Sequence, residues 1–241
     1  MTPEQSTEIL RLRAAQVGSK QIARQLGLRP AAVNPFIREH AETAYLEKAK
    51  SGELQSLQEC LINQSAAQWL LKNKARKGNQ SAKGLAQIII TRQARNRLLV
   101  GSYLVDYWCL GVKNVIPPRK MGSSESILFV KSCAERFAEP FIEISLAQAQ
   151  SIVYGAIDYA HGLGFEPHRD FNANAQAHLG LRPDSLIPIK FGKDGQPFFM
   201  SGPYDDSEKI LRTLEASVGI GNFHFIAGLG GSEPDDAFFL E

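Results

Sequence analysis

At 241 residues the chain is long enough for one full domain and a smaller one. Its 44% hydrophobic and 22% charged residues are ordinary for a globular protein, and no apolar run approaches the ~18 residues a membrane span requires, so no membrane partner is expected. The net charge of +2 hides a division: residues 1–100 hold 16 Lys+Arg against 7 Asp+Glu (+9), and residues 101–241 hold 11 against 18 (−7). That asymmetry places any nucleic-acid contact in the basic first half and leaves the acidic second half as a surface for a possible protein partner. The polar start shows no signal-peptide pattern. Cys60, Cys109 and Cys133 are far apart and form no CxxC, which fits a reduced, cytoplasmic compartment with the cysteines as small core residues.

Thr2 and Gln5 have capping-box spacing, with Pro3 at the favoured first position, and open a helix whose apolar surface is Ile9, Leu10, Leu12 and Ala14. Ser19 can cap a short helix carrying Ile22, Ala23 and Leu26 on one face. Gly27 supplies a left-handed turn, and a further helix begins near Pro30 with Val33, Phe36 and Ile37 inward. Residues 1–42 thus read as a trihelical helix-turn-helix domain. Residues 43–83 read as a helical and basic linker: helix to about residue 73, interrupted at Gly52, then a stretch 72–83 with five cations and no acid.

From Gly84 the period changes. Residues 85–93 and 98–110 read as a strand hairpin, 111–123 as a proline-containing loop, 125–138 as a helix and 141–144 as a short strand. Ser145 and Gln148 open a helix to about residue 163, followed by a polar loop, 166–185. Asp194-Gly195 signals a hairpin between 187–191 and 197–200, then come a helix over 207–218 and a strand over 223–227. The order ββαβαββαβ over 84–227 implies an α+β domain with a largely antiparallel sheet, followed by a flexible acidic tail, 228–241.

The segment Ser19, Gln21-Ile22-Ala23, Leu26-Gly27-Leu28 and Val33 resembles the homeodomain-like helix-turn-helix of resolvases, transposases and sigma-factor-type DNA readers. The resemblance covers residues 3–40 and implies that the second helix of the motif enters the DNA major groove. The candidate DNA-binding residues are Lys20, Arg29, Asn34 and Arg38, with Lys72, Lys74, Arg76 and Lys77 as sequence-independent phosphate contacts. Pro35 departs from the family pattern and is expected to kink the reading helix or delay its start. The blocks YLVDYWCLGVK, YGAIDYAHGLGFEPHRDF and GKDGQPFFMSGPYDD are similar to a domain of uncharacterised bacterial proteins, a likeness that carries no activity.

For chemistry, Ser151, Tyr154, Asp158 and His161 recur on the helix face opposite the apolar one, with His168, Arg169 and Asp170 just beyond. Asp158, His161, His168 and Asp170 are the candidate catalytic set, since a carboxylate can orient an imidazole for acid–base work. The competing reading is a solvated helix face. His161, His168, Asp170 and His178 match no closed zinc spacing, and GxxxxGK[ST], GxGxxG, GxSxG and HExxH are absent, so neither metal nor cofactor is expected. The sequence therefore points to a DNA-binding protein, a regulator or a component of a mobile-element or defence assembly. A hydrolase acting on nucleic acid through His161, His168 and Asp170, and an assembly factor whose head docks on protein, stay open beside it.

Overall fold

The computed structural model describes residues 1–15, 17–51, 53–72 and 83–226. The chain divides into two compact units, Met1–Leu54 and Gln55–Glu241.

In the first unit, helix α1 (Pro3–Ala14) starts on the expected capping box: Thr2 Oγ1 accepts the Gln5 N–H, and Gln5 Oε1 accepts the Thr2 N–H at 2.9 Å. Helix α2 (Ser19–Gln25) is capped at Gly18 without a side-chain bond, so Ser19 begins the helix and is not its cap. Gly27 takes φ +62°, and Leu28 N–H returns to Ala23 O at 2.9 Å, which closes the turn before α3 (Pro30–Lys50). Ile9, Ile22, Ala23 and Val33 form the shared core.

Helix α3 starts at Pro30, without the delay expected from Pro35, and runs through that proline for 21 residues. Pro35 and Ala31 are both exposed, so the helical bond that the proline removes is lost at a solvent-exposed position, where the cost is smallest. Pro35→Ala restores that bond and is expected to stabilise α3 by about 1–3 kcal/mol. Slower hydrogen exchange of the α3 amides in the full chain would register the gain, whereas faster exchange would mean the packing requires the proline ring.

The second unit corrects the linker reading over residues 57–71; residues 73–82 of that linker lie outside the described residues. Residues 57–63 form strand β1 (Leu57–Asn63), and the helix that follows, α4 (Gln64–Leu71), buries Ala66, Ala67, Trp69 and Leu70. Leu57 and Leu61 have helical spacing, but β1 is hydrogen-bonded on both sides, to β2 (Leu85–Ala94) and to β5 (Phe141–Glu143), and pairing overrides local preference. The sheet order is β4-β3-β2-β1-β5, with every pair antiparallel. β3 spans Arg97–Asp106.

β4 (Gly111–Met121) occupies the segment expected as a loop, with Pro117 and Pro118 inside it. The strand tolerates them because it lies at the sheet edge and because the register slips there: Val100 pairs with Arg119 and Ser102 with Ile116, so both prolines oppose Gly101. The β-branched run of β2 packs both sheet faces. Ala86, Ile88 and Ile90 join the main core under α4, α6 (Leu146–Gly162) and α7 (Ala173–Leu179), while Ile89 joins Phe129 and Cys133 of α5 (Ser123–Phe137) on the other face. α7 lies within the stretch expected as a polar loop; Asn172 caps it by accepting the Asn174 and Ala175 N–H groups.

Asp194 and Gly195 both have positive φ, as a tight hairpin turn requires, but the ladder ends after the bridge Lys193–Gln196. The flanks dock elsewhere: Gly192 N–H bonds Tyr107 O at 3.0 Å and Phe198 N–H bonds Trp108 O at 3.1 Å. β6 (Phe198–Met200) then pairs in parallel with β7 (His224–Ile226), across the intervening α8 (Ser207–Val218). No helix among the described residues is long and apolar enough to cross a membrane.

Candidate functional sites

In the first unit, Ile22, Ala23 and Val33 turn inward, which leaves Lys20, Arg24, Arg29 and Asn34 exposed. Arg38 follows on α3, and its side chain lies outside the described residues, as do Lys74, Arg76 and Lys77. Lys72 is exposed at the C-cap of α4. The structural boundary redistributes the charge: residues 1–54 hold 8 Lys+Arg against 6 Asp+Glu, and residues 55–241 hold 19 against 19. Within the first unit the signs are segregated. Residues 9–38 carry six cations and no acid, whereas all the acids beyond them begin at Glu39. Arg11 and Arg13 lie on α1, where Arg11 is paired with Glu8 at 2.6 Å; Lys20, Arg24, Arg29 and Arg38 follow α2, the turn and α3.

In the second unit, the polar stripe of α6 is not a solvated face over its length. Ser151 is buried; it donates to Ala147 O at 2.7 Å and accepts the Ile187 N–H at 2.9 Å. Tyr154 OH donates to Gly180 O at 2.8 Å. Asp158 receives both Arg182 nitrogens, at 2.6 and 2.5 Å, and the guanidinium holds its carboxyl below the usual range. His161 is exposed, with Nε2 3.6 Å from Glu166 Oε1. His168 Nδ1 lies 3.7 Å from Asp170 Oδ2 and accepts the Asp170 N–H at 3.3 Å. Among the four catalytic candidates, the structure pairs His168 with Asp170; Asp158 and His161 have other partners. His178 is fully buried, bonds Ile90 O at 3.0 Å and has its pKa pushed down to about 4 by burial. Among the described residues no three His, Cys, Asp or Glu gather as a metal site would require.

A different set of residues converges at the end of β3. The Asp106 carboxylate Oδ1 accepts the N–H groups of Trp108 and Cys109, at 3.0 and 2.9 Å, and so shapes the turn that leads into β4. Lys113 Nζ on β4 meets Asp205 Oδ2 at 2.6 Å, and Asp205 also accepts the Gly202 N–H. The neighbouring Asp206 caps α8 by accepting the Lys209 N–H. A Cβ on Gly84 would collide with the Trp108 ring, so the glycine lets that indole lie against the start of β2. Lys193 places its ammonium 5.0 Å from the Trp108 ring centroid and 4.1 Å from that of Phe198.

Asp106, Trp108, Lys113 and Phe198 line a cavity of about 260 Å³, with Leu85 and Leu104 among its other walls. Burial raises the Asp106 pKa to about 6, against the opposing pull of Lys113 and the backbone N–H donors. Asp106, Trp108, Lys113 and Phe198 were not candidates from sequence. The available signal was the likeness of the blocks that hold them, and the His168 N–H bond to Val112 O ties the second block to the same strand. Compared with known proteins, the chain gives no significant match to a family model, a curated protein or a solved structure.

Proposed function

We propose that the protein binds DNA through α2, its glycine turn and the start of α3. The observation that carries this reading is the stretch 9–38, which holds no acid and places Lys20, Arg24, Arg29 and Arg38 along a helix pair whose apolar residues face inward. One sign of charge along a surface draws in the phosphate backbone, and a helix start is the part that reaches base edges in a major groove. Arg29 and Asn34 are the exposed side chains suited to guanine and adenine edges, and Arg38 follows one turn further on. A head built for protein docking would show apolar anchors instead; among the described residues of this unit the large apolar side chain left exposed is Met1. The cations of 72–83 add affinity without sequence preference.

Fluorescence anisotropy of the full chain on duplex DNA tests the proposal. Arg29→Ala and Arg38→Ala are each expected to weaken binding by about 1–3 kcal/mol if the arginine reaches a base. Unchanged affinity in both would remove α3 as the reading element.

A further inference from the structure

The cavity at the end of β3 combines features that select a narrow class of occupant. Its volume of about 260 Å³ exceeds the ~150 Å³ that an engineered apolar cavity needs to hold benzene, which suits a flat molecule of one or two rings. Leu85, Leu104, Trp108 and Phe198 offer apolar and aromatic walls, and the Trp108 and Phe198 rings stand edge to face at 5.4 Å. Two opposite charges share those walls, the Asp106 carboxylate and the Lys113 ammonium.

A hydrocarbon would strip water from Asp106 and Lys113 and return nothing. A multiply charged anion would meet both Asp106 and Asp205. A flat ring system that carries an N–H donor for the carboxylate and a ring-edge acceptor for the ammonium offers both charges a partner while its faces meet the apolar walls. We propose that this cavity binds a nucleobase-type heteroaromatic ring, held between apolar walls that include Trp108 and Phe198 and recognised at its edge by Asp106 and Lys113. The base belongs either to a free nucleoside or to an unpaired residue of a strand. The proposal is independent of DNA binding by the first unit.

Isothermal titration of the full chain with adenosine, guanosine, cytidine and uridine, and with the matching trinucleotides, is the test. At least one base is expected to bind. Tighter binding of the nucleoside identifies a free ligand, and tighter binding of the trinucleotide an unpaired base. Phe198→Leu removes an aromatic wall, and Asp106→Asn removes the charge; each is expected to weaken binding at least tenfold with an unchanged circular dichroism spectrum. Arg29→Ala is expected to bind the ligand as the parent chain does. Absence of binding to every probe at millimolar concentration, naphthalene binding as tightly as the best base, or equal affinity in both pocket variants would overturn the proposal.

Discussion

Gly111→Ala is expected to cost about 2–4 kcal/mol, from backbone strain at a left-handed position together with overpacking. Gly111 opens β4 at φ +69°, where β4 meets α6. A Cβ there would stand 2.7 Å from Ala160 Cβ and 2.9 Å from Ala156 O, and neither neighbour is a flexible side-chain end. For a unit of this size the melting temperature should fall by roughly 10 °C. Gly195→Ala separates the two causes. Its φ is +87° but nothing lies within 4 Å, so strain acts alone and the expected cost is about 1 kcal/mol. Equal losses in both variants would mean that the approach of β4 to α6 is looser than described here.

Asp106→Asn is expected to change how stability depends on pH. In the folded protein burial raises the Asp106 pKa to about 6, above the ~3.9 of an unfolded aspartate. Between those values the fold holds a proton that the unfolded chain has released, so stability falls as pH rises from about 4 to about 6. His178 acts in the opposite sense. Burial, reinforced by the Arg92 charge, holds its pKa at about 4, below the ~6.5 of an unfolded histidine. The unfolded chain takes up a proton that the fold refuses, so this contribution is present above about pH 6.5 and is lost as pH falls towards 4. Each slope is worth on the order of 3 kcal/mol, and over pH 4–6 they oppose each other. The parent chain should therefore be nearly flat across that window, and Asp106→Asn should lose stability steeply below pH 6.5. Denaturant titrations at pH 4.5, 5.5 and 7 measure the difference; parallel profiles for the two proteins would contradict it.

Local chemistry made several elements legible. The capping boxes at Thr2–Gln5 and Ser145–Gln148 start α1 and α6 where spacing predicts, and the β-branched run of β2 is a strand. Elements that depend on distant partners were not legible. β1 owes its conformation to β2 and β5 on either side, and β4 can hold two prolines because a bulge opposite Gly101 accommodates them. The polar face of α6 looks solvated in sequence because its cover, Gly180, Arg182 and Ile187, lies more than twenty residues downstream in irregular backbone. The cavity was hidden for the same reason. Its walls meet through the backbone bonds from Gly192 and Phe198 to Tyr107 and Trp108, and a turn signal at Asp194-Gly195 says nothing about where its flanks dock.

DNA binding by the basic stretch is tested most directly by the affinity of the full chain for duplex DNA as a function of salt. Neutralising four to five phosphates would give a straight line of log affinity against log salt with a slope of about −4, flattened by about 0.9 for each phosphate contact removed. Neutralising Lys72, Lys74, Arg76 and Lys77 together should reduce the slope, while Arg29→Ala should lower affinity. Binding that is absent at 50 mM salt, or that does not change between about 50 and 200 mM, would contradict the account.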